Sequence, residues 1–234
     1  IKNFLDSQDA NYQHCNEEEL LELTADKIAN GQVVGWFQGR MEFGPRALGH
    51  RSILGDPRSP KMQTKMNMKI KFRESFRPFA PCVLEDDVAE YFDLSSPSPY
   101  MLLVSQVRDK YLKYIEAQEG LDIHEKVKLE RSVLPAITHV DNSARIQTVN
   151  EKQNSMFYHL LKKFKKITDF GILINTSFNV RGEPIVRTPK DAWNCFMLTD
   201  MDCLVIGNFI LNKEEQSSWS DNIKNQYLER FELD

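Results

Sequence analysis

The sequence has no long hydrophobic run and none of the short motifs that mark the commonest nucleotide-binding and hydrolytic sites. Apolar runs such as Met101 to Val104 and Gly171 to Ile174 stop after a few residues, so the sequence predicts neither a membrane span nor a signal peptide. The patterns GxxxxGKS, GxxxxGKT and GxGxxG are absent, which excludes the standard phosphate loops, and the GxSxG turn of hydrolases is absent as well. If this chain binds an anion, its site is not one of these glycine-rich phosphate loops.

Cysteine is scarce and widely spaced. Because no CxxC pair occurs, the sequence indicates neither a zinc site nor a disulfide framework, and no dedicated metal ligand is predicted. Reduced thiols and a cytoplasmic location are expected instead. The chain begins with Ile1 rather than methionine, so we expect it to be a piece of a longer protein. The cysteines are Cys15, Cys82, Cys195 and Cys203.

Charge is distributed unevenly along the chain. The net charge is −4, but residues 40–77 contain ten basic and three acidic side chains and carry +7, which leaves −11 for the rest. One concentrated basic segment in an acidic body suits a small polyanion better than a nucleic-acid duplex. The alternative is a solvated basic face without a ligand. The basic residues are Arg40, Arg46, Arg51, Arg58, Lys61, Lys65, Lys69, Lys71, Arg73 and Arg77.

Hydrophobic periodicity predicts alternating strands and helices, and therefore a mixed α/β sheet. Residues 108–131 are strongly charged and are predicted to form a surface excursion, and the chain from Asn212 onward is predicted to be a polar tail. Strands are predicted at 33–38, 79–84, 100–107, 145–149, 171–175 and 203–206. Helices are predicted at 16–29, 59–70, 86–92, 155–166 and 188–198.

Three polar loops at strand ends are candidates for ligand binding. The first, the arginine-rich loop 39–49, continues to Arg51 and combines glycines with Arg40 and Arg46, whose guanidinium groups match phosphate oxygens. Alternatively, an arginine here pins two loops through backbone carbonyls. The second loop, 71–81, alternates cations with aromatic rings. Either its cations are held toward a phosphate, or its rings are buried in the core while the cations reach solvent. The third comprises 138–147 and 175–184, where hydroxyl and amide groups bind phosphate or cap their own turns. His139 and Asp141 are a weaker candidate for a base and its partner.

Four motifs in these loops resemble the C-terminal region of the NodU/CmcH/TobZ-type O-carbamoyltransferases. The similarity extends from about Val33 to Ile210. It implies a YrdC-like α/β fold, a twisted mixed sheet with flanking helices and a concave basic face. The motifs are, in order, GRMEFGPRALGHRSILGDPR, FRESFRPFAP, THVDNSARIQTV and NTSFNVRGEPIV.

The resemblance divides the chain into an N-terminal linker and helix at 1–32, a YrdC-like domain at 33–211 and a polar tail at 212–234. It implies that the domain binds ATP, with Mg²⁺, together with carbamoyl phosphate, and makes a carbamoyl adenylate. An actin-like N-terminal domain of the same protein would then transfer the carbamoyl group to a small-molecule hydroxyl acceptor. The alternative is a YrdC-like nucleotide- or RNA-binding module without catalysis, although the negative net charge argues against nucleic acid.

The resemblance also implies the site residues. Lys71 and Arg77 are expected to hold carbamoyl phosphate and the α-phosphate, with Ser177 as the third catalytic residue. Arg46 and Arg145 are expected to clamp the remaining phosphates, and a further binding residue is predicted at position 175. We expect alanine at Lys71 or Arg77 to weaken ligand binding with little change in the melting temperature. The predicted site residues are Arg46, Lys71, Arg77, Arg145, Asn175 and Ser177.

Overall fold

The chain folds around one mixed β-sheet in the computed structural model, which describes residues 1–114 and 122–228. In that part of the chain the strands are β1 (Gln13–His14), β2 (Val34–Phe37), β3 (Arg51–Gly55), β4 (Ala80–Leu84), β5 (Leu103–Gln106), β6 (Ser143–Val149), β7 (Ile172–Ser177), β8 (Cys203–Ile206) and β9 (Phe209–Asn212). They lie in the order β1-β9-β8-β2-β3-β7-β4-β6-β5. β2 pairs with β8, and β4 with β6, in parallel, and the other neighbours are antiparallel. The predicted mixed α/β sheet is confirmed.

Helices cover both faces of this sheet. They are α1 (Lys2–Ser7), α2 (Glu17–Ala29), α3 (Met62–Lys69), α4 (Val88–Tyr91), α5 (Ile123–Lys128), α6 (Ser155–Thr168), α7 (Pro189–Leu198) and α8 (Asp221–Leu228). On one face α2 and α6 pack together, and Phe164 of α6 shares a buried cluster with Leu54 of β3. On the other face Met66 of α3 and Phe196 of α7 share a second cluster with Ile53, the neighbour of Leu54. Consecutive strand residues therefore face opposite helical layers, which explains the nearly continuous apolar strands.

Helix starts follow the capping residues in the sequence. The Asn16 side chain accepts a hydrogen bond from the backbone N–H of Glu19 at 3.0 Å, which satisfies one of the free donors at the start of α2. Thr188 and Asp191 form a capping box around Pro189, the first residue of α7. These local signals make the predicted helices at 16–29 and 188–198 agree with the structure.

The sheet is more extensive than the sequence predicts. Arg51, predicted to lie in the arginine-rich loop, begins β3, which pairs with β2 on one side and β7 on the other. The strand predicted to end at Asn175 continues as β7 to Ser177, which was predicted to lie in the polar loop. Asn175 pairs with both β3 and β4, and Ser177 pairs with β3. This backbone pairing outweighs the polar character of the side chains, because a strand position needs a ladder partner more than an apolar side chain.

The two ends of the chain join the same structure. Residues 1–32, predicted as a linker and a helix, contribute β1 to the sheet, and Leu5 and Leu20 are fully buried. The tail begins with the end of β9 and includes α8. In the predicted surface excursion, α5 is described, whereas 115–121 lie outside the described residues, as do 229–234 of the tail.

Gly49 fixes the arginine-rich loop against the α6 layer. Its φ of +104° is a region that side chains rarely adopt, and a Cβ atom there would lie 2.3 Å from Phe157. Its carbonyl accepts a hydrogen bond from the Trp36 indole at 2.9 Å. We expect Gly49→Ala to lower the free energy of unfolding by roughly 2–4 kcal/mol, because it adds a steric clash to an unfavourable φ.

Gly44 provides the matched control in the same loop. It also has a positive φ, +124°, but a Cβ atom there would meet nothing within 4 Å. Gly44→Ala should therefore cost only about 1 kcal/mol, the backbone contribution alone. Urea unfolding of both variants measures the difference, and equal losses would show that the contact with α6 contributes nothing.

Candidate functional site

A small cationic cleft lies where the arginine-rich loop meets the centre of the sheet. It encloses about 140 Å³, and none of its lining residues is an aspartate, glutamate, histidine or cysteine. Guanidinium groups from three separate segments point to it, which is an arrangement typical of sites for phosphate or carboxylate oxygens. The lining residues are Pro45, Arg46, Ala47, Arg73, Pro78, Phe79, Ala80, Met101, Arg145, Asn175, Thr176 and Ser177.

Side chains at the strand ends hold the loop that carries Arg46. Glu42 Oε1 accepts hydrogen bonds from three backbone N–H groups at the carboxyl end of the loop, those of residues 48, 50 and 51. Gln147 of β6 donates to the Leu48 carbonyl at 2.9 Å, and Asn175 of β7 donates to the Ala47 carbonyl at 3.1 Å. Hydrogen bonds to the Glu42 carboxylate within the loop, and from side chains of β6 and β7, therefore fix the conformation of the loop.

Arg51 has the structural role that the sequence left open for the arginines of this loop. Its guanidinium group donates to the carbonyls of Gln38, Gly39 and His50 at 2.8–3.2 Å and stacks on the Phe37 ring at 3.5 Å. It is 4% exposed and does not line the cleft. Arg51 therefore pins the two ends of the loop and leaves Arg46 to face the cleft.

Arg46 and Arg145 are brought together without a counter-charge. Within the described residues no carboxylate forms an ion pair with either guanidinium group, and the Arg145 Nε atom is buried without a hydrogen-bond partner. Burial lowers the pKa of Arg145, and the charge of Arg46 lowers it further. Two adjacent like charges repel each other, and an anion between them would relieve that repulsion.

Lys71 lies behind the cleft, buried and fully engaged. Its ammonium group donates to the carbonyls of Ser177 and Asn179 and to both of their side-chain oxygens, with Nζ–O distances of 2.7–3.2 Å for the bonds other than that to the Ser177 carbonyl. It is 4% exposed, and burial lowers its pKa to about 7, with Cys195 and Glu183 opposing and Arg73 assisting that shift. Lys71 therefore positions the end of β7 and supplies a titratable charge there.

Arg73 is a cleft residue that the sequence reasoning missed. Its Nε donates to Asn67 Oδ1 at 2.6 Å, its guanidinium lies 4.9 Å from the centre of the Phe79 ring, and burial lowers its pKa to about 10. Phe72 between Lys71 and Arg73 has a φ of +49°, which costs a bulky residue about 1–2 kcal/mol. Arg73 stands in the second motif, but the motif does not show the left-handed backbone at Phe72 that precedes it.

The other predicted residues divide between the cleft and the surface. Asn175 and Ser177 line the cleft, and the buried Asn175 Oδ1 has no hydrogen-bond partner. Arg77 is half exposed, forms an ion pair with Glu74 at 2.9 Å and is not among the lining residues. The structure thus brings Arg46, Arg145, Asn175 and Ser177 together at the cleft, places Lys71 directly behind them and leaves Arg77 outside.

The weaker candidates have structural partners. His139 Nδ1 lies 3.1 Å from the Ser143 hydroxyl, burial lowers the His139 pKa, and Asp141 accepts two hydrogen bonds from Ser143 within the same turn. Two lysines of α3 also have partners, since Lys65 pairs with an aspartate at 2.7 Å and Lys69 with another at 3.3 Å. Across residues 1–114 and 122–228, no cluster of three or more metal-ligating side chains occurs, and no helix is long and apolar enough to cross a bilayer.

Comparisons with known proteins agree with the resemblance of the four motifs. The chain is 58% identical over 224 residues to the protein sll1178 of Synechocystis sp., which is 95% of this chain and 36% of that protein. Nodulation protein NolO of Bradyrhizobium diazoefficiens is 44% identical over 87% of this chain and 34% of its own length. The 3'-hydroxymethylcephem-O-carbamoyltransferase of Amycolatopsis lactamdurans is 38% identical over 70% of this chain and 27% of its own length. The chain therefore spans about a third of the length of these relatives.

Two solved structures show the same fold. Full-length HypF in its phosphate- and nucleotide-bound form aligns with a TM-score of 0.50 and 14% identity, over 89% of this chain and 23% of HypF. Sua5 of P. abyssi, complexed with L-threonine, aligns with a TM-score of 0.51 and 12% identity, over 84% of this chain and 48% of Sua5. Both contain YrdC-like domains, and this confirms the predicted fold class. Since the family model described as Carbamoyltransferase C-terminus matches residues 25–213, the chain belongs to that carbamoyltransferase family and carries its C-terminal, YrdC-like domain.

Proposed function

We propose that the cationic cleft binds ATP and carbamoyl phosphate and that the domain forms a carbamoyl adenylate in two steps. Water first cleaves carbamoyl phosphate into carbamate and phosphate, and a carbamate oxygen then attacks the α-phosphorus of ATP and displaces pyrophosphate. The observation that carries this proposal is the pair of unpaired guanidinium groups, Arg46 and Arg145, beside the partly buried Arg73. Fixed cations stabilise the charge that develops on transferring and leaving oxygens, and this need is greatest in phosphoryl and nucleotidyl transfer.

The side chains at the end of β7 suit the carbamoyl group. Asn175 Oδ1 is buried without a partner and accepts an N–H donor such as a carbamoyl amide, while the Ser177 hydroxyl lines the same cleft. Lys71 keeps the Ser177 carbonyl and hydroxyl in place from behind. The lining carries no carboxylate, so Mg²⁺ would reach the cleft on the triphosphate of ATP rather than on a protein ligand.

The remainder of the longer protein would complete the reaction. The relatives are about three times as long as this chain, which leaves room for an actin-like N-terminal domain that holds the hydroxyl acceptor. That domain, rather than the cleft, would choose the acceptor. A reaction that consumes ATP and carbamoyl phosphate also fits the cytoplasm.

Release of pyrophosphate tests the proposal. We expect the chain, incubated with ATP, Mg²⁺ and carbamoyl phosphate, to form pyrophosphate, and to form none when carbamoyl phosphate is omitted. Arg108→Met is the control variant and should retain the activity, because Arg108 pairs with Asp93 at 3.5 Å and does not line the cleft. Absence of pyrophosphate even in the full-length protein would refute catalysis.

RNA binding is the competing result. A non-catalytic RNA-binding module would bind RNA more tightly than ATP, and its affinity would fall steeply with salt as phosphate contacts release counterions. The proposed enzyme should instead bind ATP more tightly than RNA at physiological ionic strength.

A further inference from the structure

The turn that follows β7 is held by a buried carboxylate. Glu183 is 7% exposed, and its Oε2 accepts a hydrogen bond from the backbone N–H of Val180 at 2.9 Å. The backbone carbonyl of Glu183 accepts a second hydrogen bond, from the Asn179 side-chain amide, at 2.5 Å. Asn179 in turn provides two of the four oxygens that receive the Lys71 ammonium group, and the other two belong to Ser177 at the cleft. Glu183 therefore acts on the cleft through this turn.

The second oxygen of this carboxylate is bound by the C-terminal helix. The Tyr227 hydroxyl of α8 donates to Glu183 Oε1 at 2.7 Å. The Tyr227 ring packs against the buried cluster that contains α7, and it contacts the Trp219 ring, with 6.5 Å between ring centres. The family model matches residues 25–213, so Tyr227 lies beyond the matched region.

We propose that Tyr227 is a positioning residue for the anion cleft: by fixing Glu183 it fixes the turn at Asn179 and Val180, and through that turn the orientation of Lys71 and Ser177. The inference rests on the proposed function of the cleft. It assigns to the C-terminal helix the role of a clamp on the loop that follows β7. The chemistry of the clamp is a neutral phenol donating to a buried carboxylate.

The charges around this turn are coupled. Burial raises the pKa of Glu183, and the hydrogen bond from Tyr227 is the largest influence that opposes this rise. The groups that face Lys71 are Cys195 of α7, Arg73 and Glu183, and the negative charge of Glu183 helps to keep Lys71 protonated. Loss of the Tyr227 hydroxyl raises the pKa of Glu183 and leaves its Oε1 without this donor. The carboxylate is then held less firmly, its support of the ammonium group weakens, and the pKa of Lys71 falls.

Tyr227→Phe tests the clamp in the 234-residue chain. We expect the Kd for pyrophosphate to rise about 5- to 10-fold at pH 7.5, which is less than the full effect of losing a hydrogen bond to a charged group because Tyr227 acts on the cleft through Glu183. The loss of affinity with rising pH should begin at lower pH than in the unmodified chain, because Lys71 loses its proton sooner. Hydrogen exchange at the Val180 amide should be faster, since the carboxylate that binds this N–H is no longer fixed.

Tyr111→Phe is the matched control. The Tyr111 hydroxyl also donates to a glutamate, Glu90 at 2.8 Å, but neither residue lines the cleft. This variant should leave pyrophosphate affinity, its pH dependence and the Val180 exchange rate unchanged. Equal behaviour of Tyr227→Phe and Tyr111→Phe would overturn the clamp.

A double-mutant cycle with Glu183→Gln distinguishes an effect through Glu183 from a general loss of structure. If Tyr227 acts through Glu183, adding Tyr227→Phe to Glu183→Gln should change pyrophosphate affinity less than 2-fold, because coupled residues are non-additive. Full additivity would contradict the inference. Failure of the unmodified chain to bind pyrophosphate would refute the proposed function instead, while the exchange rate at Val180 would still decide whether the clamp exists.

Discussion

Arg145→Met should raise the Kd for pyrophosphate by about 100-fold, the effect of losing a charge-assisted pair of hydrogen bonds to an anion. It should not destabilise the protein. The Arg145 Nε is buried without a partner, and the guanidinium group lies beside the like charge of Arg46, so methionine removes two unfavourable features while filling a similar volume. We expect the free energy of unfolding to stay constant or to rise by up to about 1 kcal/mol.

Arg51→Met is the contrasting variant in the adjacent loop. Arg51 donates to three backbone carbonyls, and methionine would remove this donor from those of Gln38 and Gly39, while the His50 carbonyl would keep the Gln38 backbone N–H. The expected loss is about 3 kcal/mol in the free energy of unfolding. Isothermal titration with pyrophosphate and urea unfolding of both variants separate the two roles. A destabilised Arg145→Met protein with normal affinity would show that Arg145 is structural and would remove the main support for the cleft.

Lys71→Met should impair both binding and stability. Pyrophosphate affinity should fall by at least 100-fold, since the charge behind the cleft and the anchor of the Ser177 loop disappear together. The four oxygen atoms lose the ammonium group as a donor, and of these Asn179 Oδ1 keeps the Ser177 hydroxyl, so we also expect a loss of about 2 kcal/mol in the free energy of unfolding. The sequence predicts that alanine at Lys71 or Arg77 leaves the melting temperature nearly constant. For the buried Lys71 the structure now predicts a loss of stability instead, whereas for the half-exposed Arg77 the prediction is unchanged.

The pH dependence provides a sharper test of Lys71. Its pKa is about 7 in the folded protein and near 10.4 in an unfolded chain, so the unfolded state binds the extra proton between these values. The free energy of unfolding of the ligand-free protein should therefore rise with pH above about 7, while affinity for pyrophosphate falls. An anion in the cleft favours the ammonium form, so binding at pH 7.5–8 should take up a proton.

Calorimetric titrations in buffers of different ionisation enthalpy measure this proton uptake. The Lys71→Met variant should bind pyrophosphate without the proton uptake caused by the ammonium group. Its free energy of unfolding should also lack the rise above pH 7. Proton uptake of the same size in Lys71→Met would assign the titration to another group and would contradict the role given to Lys71.

Much of the fold follows from local sequence signals. The Asn16 and Thr188 caps define the starts of α2 and α7, and the apolar runs mark the central strands. β3 is different, because its residues are recognisable as a strand only from their pairing with β2 and β7, which lie far apart in the chain. Tertiary pairing of this kind outweighs local preference and is not encoded in a window of a few residues.

In the candidate site, too, some features follow from the sequence and others depend on the folded structure. The resemblance to carbamoyltransferases identified Arg46, Arg145 and Ser177, which share the cleft. It did not distinguish Arg73 from Arg77 within one motif, because that distinction depends on the left-handed backbone at Phe72. Burial of a cation is likewise a property of the assembled structure rather than of a motif.

The strand order has a consequence for folding kinetics. The cleft needs β7 between β3 and β4, and β6 beside β4, so segments separated by roughly a hundred residues must meet before any anion can bind. Chains dominated by such non-local pairing fold slowly, since loop closure precedes the contacts that offset its entropy. Acquisition of pyrophosphate affinity during refolding should consequently be a late event, and added pyrophosphate should slow unfolding more than it accelerates folding.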